Sequence, residues 1–144
     1  MTQLEDALKI ILGYFPYYMR PPFLSTNAQA LSTLNSLQYI ITEIDIDTKD
    51  YENTSNDTIN NAYVNYVNAL NAGGTISLSH DPLINTAQFL VPGILRELAN
   101  RGLKSVPIGQ CLGDPAANWY RTSRPGSAVS SSFVHPSSSS VHLF

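Results

Sequence analysis

From Tyr39 to Gly102 the apolar pattern switches repeatedly between a strand period and a helix period, and this alternation restricts the fold more than any other feature. YIITEIDI, residues 39–46, is a β-branched and aromatic run of strand length, and it leads into DTKDYENTSND, a polar turn-forming stretch. Behind Asp57 or Thr58 as cap, Ile59, Ala62, Tyr63, Tyr66, Val67 and Leu70 recur at helical spacing, with Gly73 and Gly74 closing the helix. TISLS is again a strand, with His80 at its C-terminal end. TAQFLVPGILRELANRG is a helix kinked or started late at Pro92 and ended at Gly102, and SVPIGQCL supplies a last strand. Strands separated by helices of this length indicate parallel βαβ units.

The N-terminal part fits the same alternation. MTQLEDALKIILG has Thr2 and Glu5 in a capping-box arrangement, Leu4, Leu8 and Ile11 at helical spacing, and Gly13 at the stop. PYYMRPPF reads as a strand passing into a loop near Arg20, and STNAQALSTLNSL as a helix capped by Ser25 or Thr26 with Leu31 and Leu34 on one face. The polar clusters at Arg20, Asp47/Asp50 and His80 all follow strands. Ligands of such folds bind at the carboxyl ends of strands, so the three clusters are expected on one face.

With 144 residues, 43% of them hydrophobic, the chain is expected to form one domain with a real core. A net charge of −3 with scattered lysines and arginines gives no nucleic-acid footprint. Runs such as FLVPGIL fall far short of the roughly 20 apolar residues that span a bilayer, so no membrane span is expected. The acidic start MTQLEDALKI is not a signal peptide. Yet Asn53-Thr54-Ser55 and Asn56-Asp57-Thr58 are tandem glycosylation sequons, usable only in a secretory lumen. From Pro125, PGSAVSSSFVHPSSSSVHLF has too few apolar residues to bury, and residues 125–144 read as a Ser-rich disordered tail.

Several chemistries fail on spacing. His135 and His142 lie in that tail without the spacing that presents two imidazoles from one helical turn. DIDTKDYEN begins like a calcium loop, but Asp50 stands where that loop needs glycine and Asn56 where it needs a bidentate glutamate. There is no G-x-S-x-G, and Cys111 has no histidine near it in sequence; it is a small buried hydrophobe or half of a disulfide. RPPF (20–23), DTKDY (47–51) and ISLSHD (76–81) remain. Each has an ordinary reading: a surface cation, a turn with Asx hydrogen bonds, and a strand-terminal histidine.

In this order the three resemble the last three of the five motifs of the polysaccharide deacetylases, the NodB-homology family of carbohydrate esterases that includes fungal chitin deacetylases. RPPF resembles the arginine-x-proline-aromatic motif, DTKDY the aspartate-x-x-aspartate-aromatic motif, and ISLSHD the leucine-x-histidine-aspartate motif. The resemblance runs from Met1 to Arg121 and implies an α/β fold, a partial (β/α) barrel of about half the strands, with residues 1–124 as the C-terminal portion of the catalytic domain. It implies a chitin or related N-acetylglucosamine polymer as partner, and a secreted or cell-wall-associated parent protein.

The resemblance also implies roles. His80 is the general acid for the leaving amine, and Asp50 orients it and favours its imidazolium form. Arg20 holds the base aspartate of the family, the Phe23 backbone N–H helps to stabilise the oxyanion, Leu78 lines the acetyl pocket and Tyr51 forms part of the sugar wall. Phe23 stands where tyrosine is usual and Tyr51 where tryptophan is frequent.

The family's first two motifs, threonine-phenylalanine-aspartate-aspartate-glycine-proline and histidine-x-x-x-histidine, occur nowhere in the sequence. They supply the base and the ligands of zinc or another divalent metal, so no cofactor and no metal ligand is expected in this chain. A metal can bring the pKa of bound water from about 15.7 to about 7, against roughly 10²–10⁴-fold from one acid–base group. The chain is therefore expected to be a truncated or inactive fragment, with an open strand edge, weak stability and a tendency to associate. A parent with a signal peptide and a partner for Cys111 accounts for the sequons and the lone cysteine together. The alternative is a non-catalytic carbohydrate-binding remnant that uses Tyr51, Trp119 and Tyr120.

Overall fold

The computed structural model describes residues 1–124; the Ser-rich stretch 125–144, with His135 and His142, lies outside the described residues. In chain order the elements are α1 (Thr2–Leu12), β1 (Phe15–Pro16), β2 (Tyr18–Met19), α2 (Ala28–Ser36), β3 (Ile40–Ile41), β4 (Ile46–Asp47), α3 (Ile59–Asn71), β5 (Ser77–Leu78), α4 (Val91–Asn100), α5 (Ile108–Cys111) and β6 (Tyr120–Arg121). The described residues fall into two compact units, Met1–Glu43 with Leu112–Arg124, and Ile44–Cys111.

In the first unit β2 pairs parallel with β3, Tyr18 opposite Ile40, and β1 pairs antiparallel with β6, Phe15 opposite Arg121. The antiparallel pair departs from the all-parallel expectation. Arg121 of β6 is buried with its guanidinium 5.0 Å from the Phe15 ring, 4.6 Å from Tyr17 and 4.8 Å from Tyr39. A cation shared among three aromatic faces binds β6 to the unit, and its Nη1 also donates to the Leu37 carbonyl at 2.7 Å.

Helix α1 follows its predicted period but not its predicted cap. Met1 occupies the N-cap position without a side-chain bond, and Gly13 closes the helix in the left-handed region at φ 83°. Glu5 makes no capping box. It is buried, accepts from Tyr39 Oη at 2.6 Å and from Arg124 Nε, and stands 3.7 Å from Arg121 Nη2. Because Glu5 takes the inward face, Leu4 and Ile11 are exposed. In α2 the cap is Asn27, whose Oδ1 accepts from Ala30 N–H at 2.8 Å, in place of Ser25 or Thr26.

The second unit has a continuous apolar core of Ile46, Ile59, Ala62, Tyr66, Leu70, Leu90, Ile94 and Leu98. The α3 stripe read from the sequence supplies four of its members, and β4 pairs parallel with β5, Ile46 opposite Ser77 and Asp47 opposite Leu78. Asp45 anchors the entry to β5, accepting from the N–H groups of Thr75 at 2.8 Å and Ile76 at 2.6 Å.

Two sequence expectations fail here. YIITEIDI is not one strand: it splits into β3 and β4, which belong to different units. The hydrogen-bonding partner changes within the run: Thr42 N–H donates to the Met19 carbonyl at 2.9 Å, whereas Asp45 N–H donates to the Ile76 carbonyl at 3.0 Å. SVPIGQCL is not a strand but contains α5, begun by Pro107, whose carbonyl accepts from Cys111 N–H at 3.0 Å. At Pro92 the helix neither breaks nor starts afresh. It widens into a π-helical turn over Thr86–Leu90, with Val91 N–H reaching back to the Thr86 carbonyl. A prolyl ring conflicts with the carbonyl four residues earlier, and a wider turn relieves that conflict.

Candidate active site

DTKDY forms a compact turn because its first aspartate binds the turn itself. Asp47 Oδ1 accepts from Lys49 N–H at 2.9 Å, an Asx turn, and Oδ2 accepts from Tyr51 Oη at 3.1 Å. Lys49 pays for the tight reversal with a left-handed backbone, φ 53°, ahead of the single 3-10 turn Asp50–Glu52. The ordinary reading of this motif as an Asx turn therefore holds. The same turn buries Asp50 completely.

A buried carboxylate needs donors, and Asp50 has three. Oδ1 lies 2.8 Å from His80 Nδ1, while Oδ2 accepts from His80 N–H at 2.6 Å and from Thr86 Oγ1 at 2.8 Å. Burial pushes the Asp50 carboxyl up, but the His80 ring, the His80 N–H and the Thr86 hydroxyl outweigh it and hold the group below its ordinary value. Asp50 is thus a carboxylate at neutral pH. His80 Nδ1 must then carry the proton it shares, which leaves Nε2 as the free ring nitrogen.

His80 follows β5, whose parallel register with β4 sets it beside Asp50, and its side chain is 43% exposed. The Tyr51 ring meets the imidazole edge to face at 5.6 Å and is itself half exposed. Leu78, two residues before His80, is partly buried, and its carbonyl accepts from Thr48 Oγ1 at 2.7 Å. An anchored, partly exposed imidazole with an aromatic wall beside it can present a proton to a bound ligand.

His80, Asp50, Tyr51 and Leu78 therefore stand in one unit; Arg20 and Phe23 belong to the other. Burial lowers the basicity of the Arg20 guanidinium from its ordinary value. Phe23 sits in the 3-10 turn Pro22–Leu24 at φ 57°, followed by Leu24 at φ 54°, and its side chain is fully exposed. Two successive left-handed residues without glycine store backbone strain. Sequence reasoning missed Thr86 entirely, since nothing local marks a threonine 36 positions from Asp50. The bond from Tyr51 Oη to Asp47 likewise has no sequence signal beyond the spacing of four residues.

Among the described residues no three His, Cys, Asp or Glu side chains stand together as a metal site. Asp50 is fully engaged by its donors, so these residues do not compose a ligand set for a divalent ion. No described helix is long and apolar enough to cross a membrane.

No family model matches the chain. A chitin deacetylase of Pestalotiopsis sp is 51% identical over 122 residues, covering 85% of this chain and 41% of the relative. A probable peptidoglycan-N-acetylglucosamine deacetylase of Arthroderma benhamiae is 46% identical over 123 residues, covering 85% of this chain and 28% of the relative. In structure, the chitin deacetylase of the fungal pathogen Colletotrichum lindemuthianum superposes with a TM-score of 0.80 at 37% identity, over 87% of this chain and 57% of its own. The chain thus spans between about a quarter and three fifths of these relatives. The α/β class with short parallel strand pairs agrees with a partial barrel, and no closed barrel is formed by the described strands.

Proposed function

Because the chain belongs to the polysaccharide deacetylases, over that part of the fold which it spans, we propose that it carries the proton-donating arm of a chitin deacetylase. The carrying observation is the His80–Asp50 contact of 2.8 Å, with Asp50 wholly buried and saturated with donors. Hydrolysis adds water to the acetamide carbonyl carbon and breaks its bond to nitrogen; acetate leaves, and the amine takes a proton. His80 Nε2 gives that proton, while Asp50 stabilises the imidazolium before transfer. Tyr51, fixed by Asp47, offers a ring face to the sugar.

In the relatives' chemistry a divalent metal supplies the activated water. The described residues do not fit such an ion, so no step here runs through it. The Phe23 N–H in its strained turn and the Arg20 guanidinium retain the roles implied by their motif, oxyanion contact and support of a base aspartate. On this reading the 144 residues alone do not turn over, because the motifs for base and metal are absent from them. The parent protein is proposed to work outside the cell or at the cell wall on an N-acetylglucosamine polymer, in keeping with the exposed sequon at Asn56.

The test is acetate release from chitin oligomers by the purified chain with zinc or cobalt added. No release above a metal-free blank is expected, and turnover would overturn the claim of incompleteness. The binding-remnant reading predicts heat of oligomer binding in calorimetry, reduced by Tyr51→Ala. Trp119 is less suited to it, since its indole N–H is committed to the Asp114 carbonyl at 2.8 Å; Tyr120, which packs on Tyr14 at 4.9 Å, keeps half its surface open.

A further inference from the structure

We propose that Thr86 is a positioning residue for the His80–Asp50 pair, its hydroxyl fixing the carboxylate against which His80 Nδ1–H is held. The proposal rests on the reading of His80 as a proton donor, but its evidence is separate. Thr86 is fully buried, as is Asp50, and their contact is 2.8 Å between two side chains with no access to water. A hydroxyl has one proton to give. Helical threonines commonly return it to the carbonyl one turn earlier, whereas Thr86 gives it to a carboxylate on another element.

Geometry makes this donor more than a packing contact. Asp50 Oδ1 faces the ring of His80, and Oδ2 is held by the His80 backbone N–H and by Thr86. The two His80 contacts move together with the β5 end, so Thr86 is the one hydroxyl that fixes the carboxylate plane independently of the histidine. Thr86 opens the π-helical turn that precedes Pro92. Such turns recur at functional sites because they re-aim a side chain without ending the helix. Asn85, immediately before it, is pinned through its Nδ2 to the Thr54 carbonyl at 2.6 Å, which fixes the start of the turn.

The charged surroundings are sparse. Among the described ionisable neighbours, His80 bonds Asp50, while Lys49 pairs with Glu52 at 3.9 Å, Asp47 is occupied by Tyr51, and Asp81 is exposed. A change in the behaviour of Asp50 on altering Thr86 therefore reports the hydroxyl.

The experiment compares the 144-residue chain with its Thr86→Val and Thr86→Ser variants by nuclear magnetic resonance. It follows the Asp50 carboxyl carbon through acid and the His80 Nδ1–H signal near neutral pH. Loss of one donor to a buried carboxylate is expected to raise the Asp50 titration by about one pKa unit, roughly a tenfold change in its proton affinity. The Nδ1–H signal should exchange several-fold faster in Thr86→Val, and Thr86→Ser should restore both. A folded Thr86→Val with an unchanged Asp50 titration would overturn the proposal, as would a Thr86→Ser variant that behaves like valine. If Thr86→Val loses the native amide spectrum, Thr86→Ser against Thr86→Ala makes the same comparison. An unchanged titration removes Thr86 and leaves the acid role of His80 standing, since that role is judged by acetate release.

Discussion

Replacing Asp50 by alanine takes the acceptor from three donors at once, and two of them cannot recover it. Thr86 Oγ1 is fully buried, and the His80 N–H points into the same space. Each buried donor left unsatisfied costs about 1–3 kcal/mol. The His80 ring is 43% exposed and can turn Nδ1 to water, so its lost contact adds little. Asp50→Ala should therefore lose about 2–6 kcal/mol from the second unit. Asp50→Asn keeps one oxygen for the two donors and turns its amide to Nδ1, for a loss of about 1–2 kcal/mol. That amide forces Nδ1 to accept, moving the histidine proton to Nε2 in a neutral ring. Trp119 lies in the first unit, so indole fluorescence does not report this change. Urea unfolding followed by circular dichroism, with hydrogen exchange on the amides of α3 and α4, does. Folded Asp50 titrates below its ordinary 3.8, so its contribution is present above that pH and is lost as pH falls through the folded value. Asp50→Ala should accordingly flatten the acid limb of stability. An Asp50→Ala variant within about 0.5 kcal/mol of the parent would refute the claim that the carboxylate satisfies buried donors.

Gly74→Ala places a Cβ 2.5 Å from Ile46 Cγ1 and 3.0 Å from the Ala69 carbonyl, and should destabilise the second unit by about 1–3 kcal/mol in the same unfolding assay. In the first unit, burial pushes the Glu5 carboxyl up, but Tyr39 and the arginines at 124 and 121 hold it below its ordinary 4.5. Its stabilisation should be full above that value and fall away with acid, and Glu5→Gln should abolish this dependence in Trp119 fluorescence titrations. Asn53 donates to the Lys49 carbonyl at 2.8 Å and accepts from Asn61 at 3.2 Å, whereas Asn56 is exposed. Asn53→Ala should cost about 1–2 kcal/mol and Asn56→Ala less than about 0.5, measured by thermal unfolding.

How far the sequence could be read depended on whether a feature was local. The α3 stripe, the Asx turn of DTKDY and the strand leading to His80 are set by residues a few positions apart, and all three stand as read. The pairing of Asp50 with His80 was legible only through the order of the motifs, because 30 residues separate them. YIITEIDI looked like one strand because a β-branched run does not record where its hydrogen-bonding partner changes. Glu5 mimicked a capping box since threonine and glutamate three apart satisfy that pattern; only the fold reveals that Tyr39, Arg121 and Arg124 need a carboxylate there. Thr86 is the extreme case. A threonine inside an apolar helical stretch gives no sign of its partner until the π-turn and the buried turn at Asp50 are both built.

All three donors to Asp50, the aromatic wall at Tyr51 and the aspartate that steadies that wall come from residues 47–86, inside one unit with its own core. A proton donor needs little more than this. Its ring must be oriented, its charge must be stabilised by a carboxylate that cannot itself take up the proton, and one nitrogen must remain open to the ligand. Activating water is a heavier demand, requiring a strong base or a bound cation with several converging ligands. On the proposed reading, proton donation and water activation are separate demands, and only the first is asked of His80 and Asp50. The donor geometry proposed for His80 is therefore better judged by the titration of Asp50 and the tautomer of His80 than by activity.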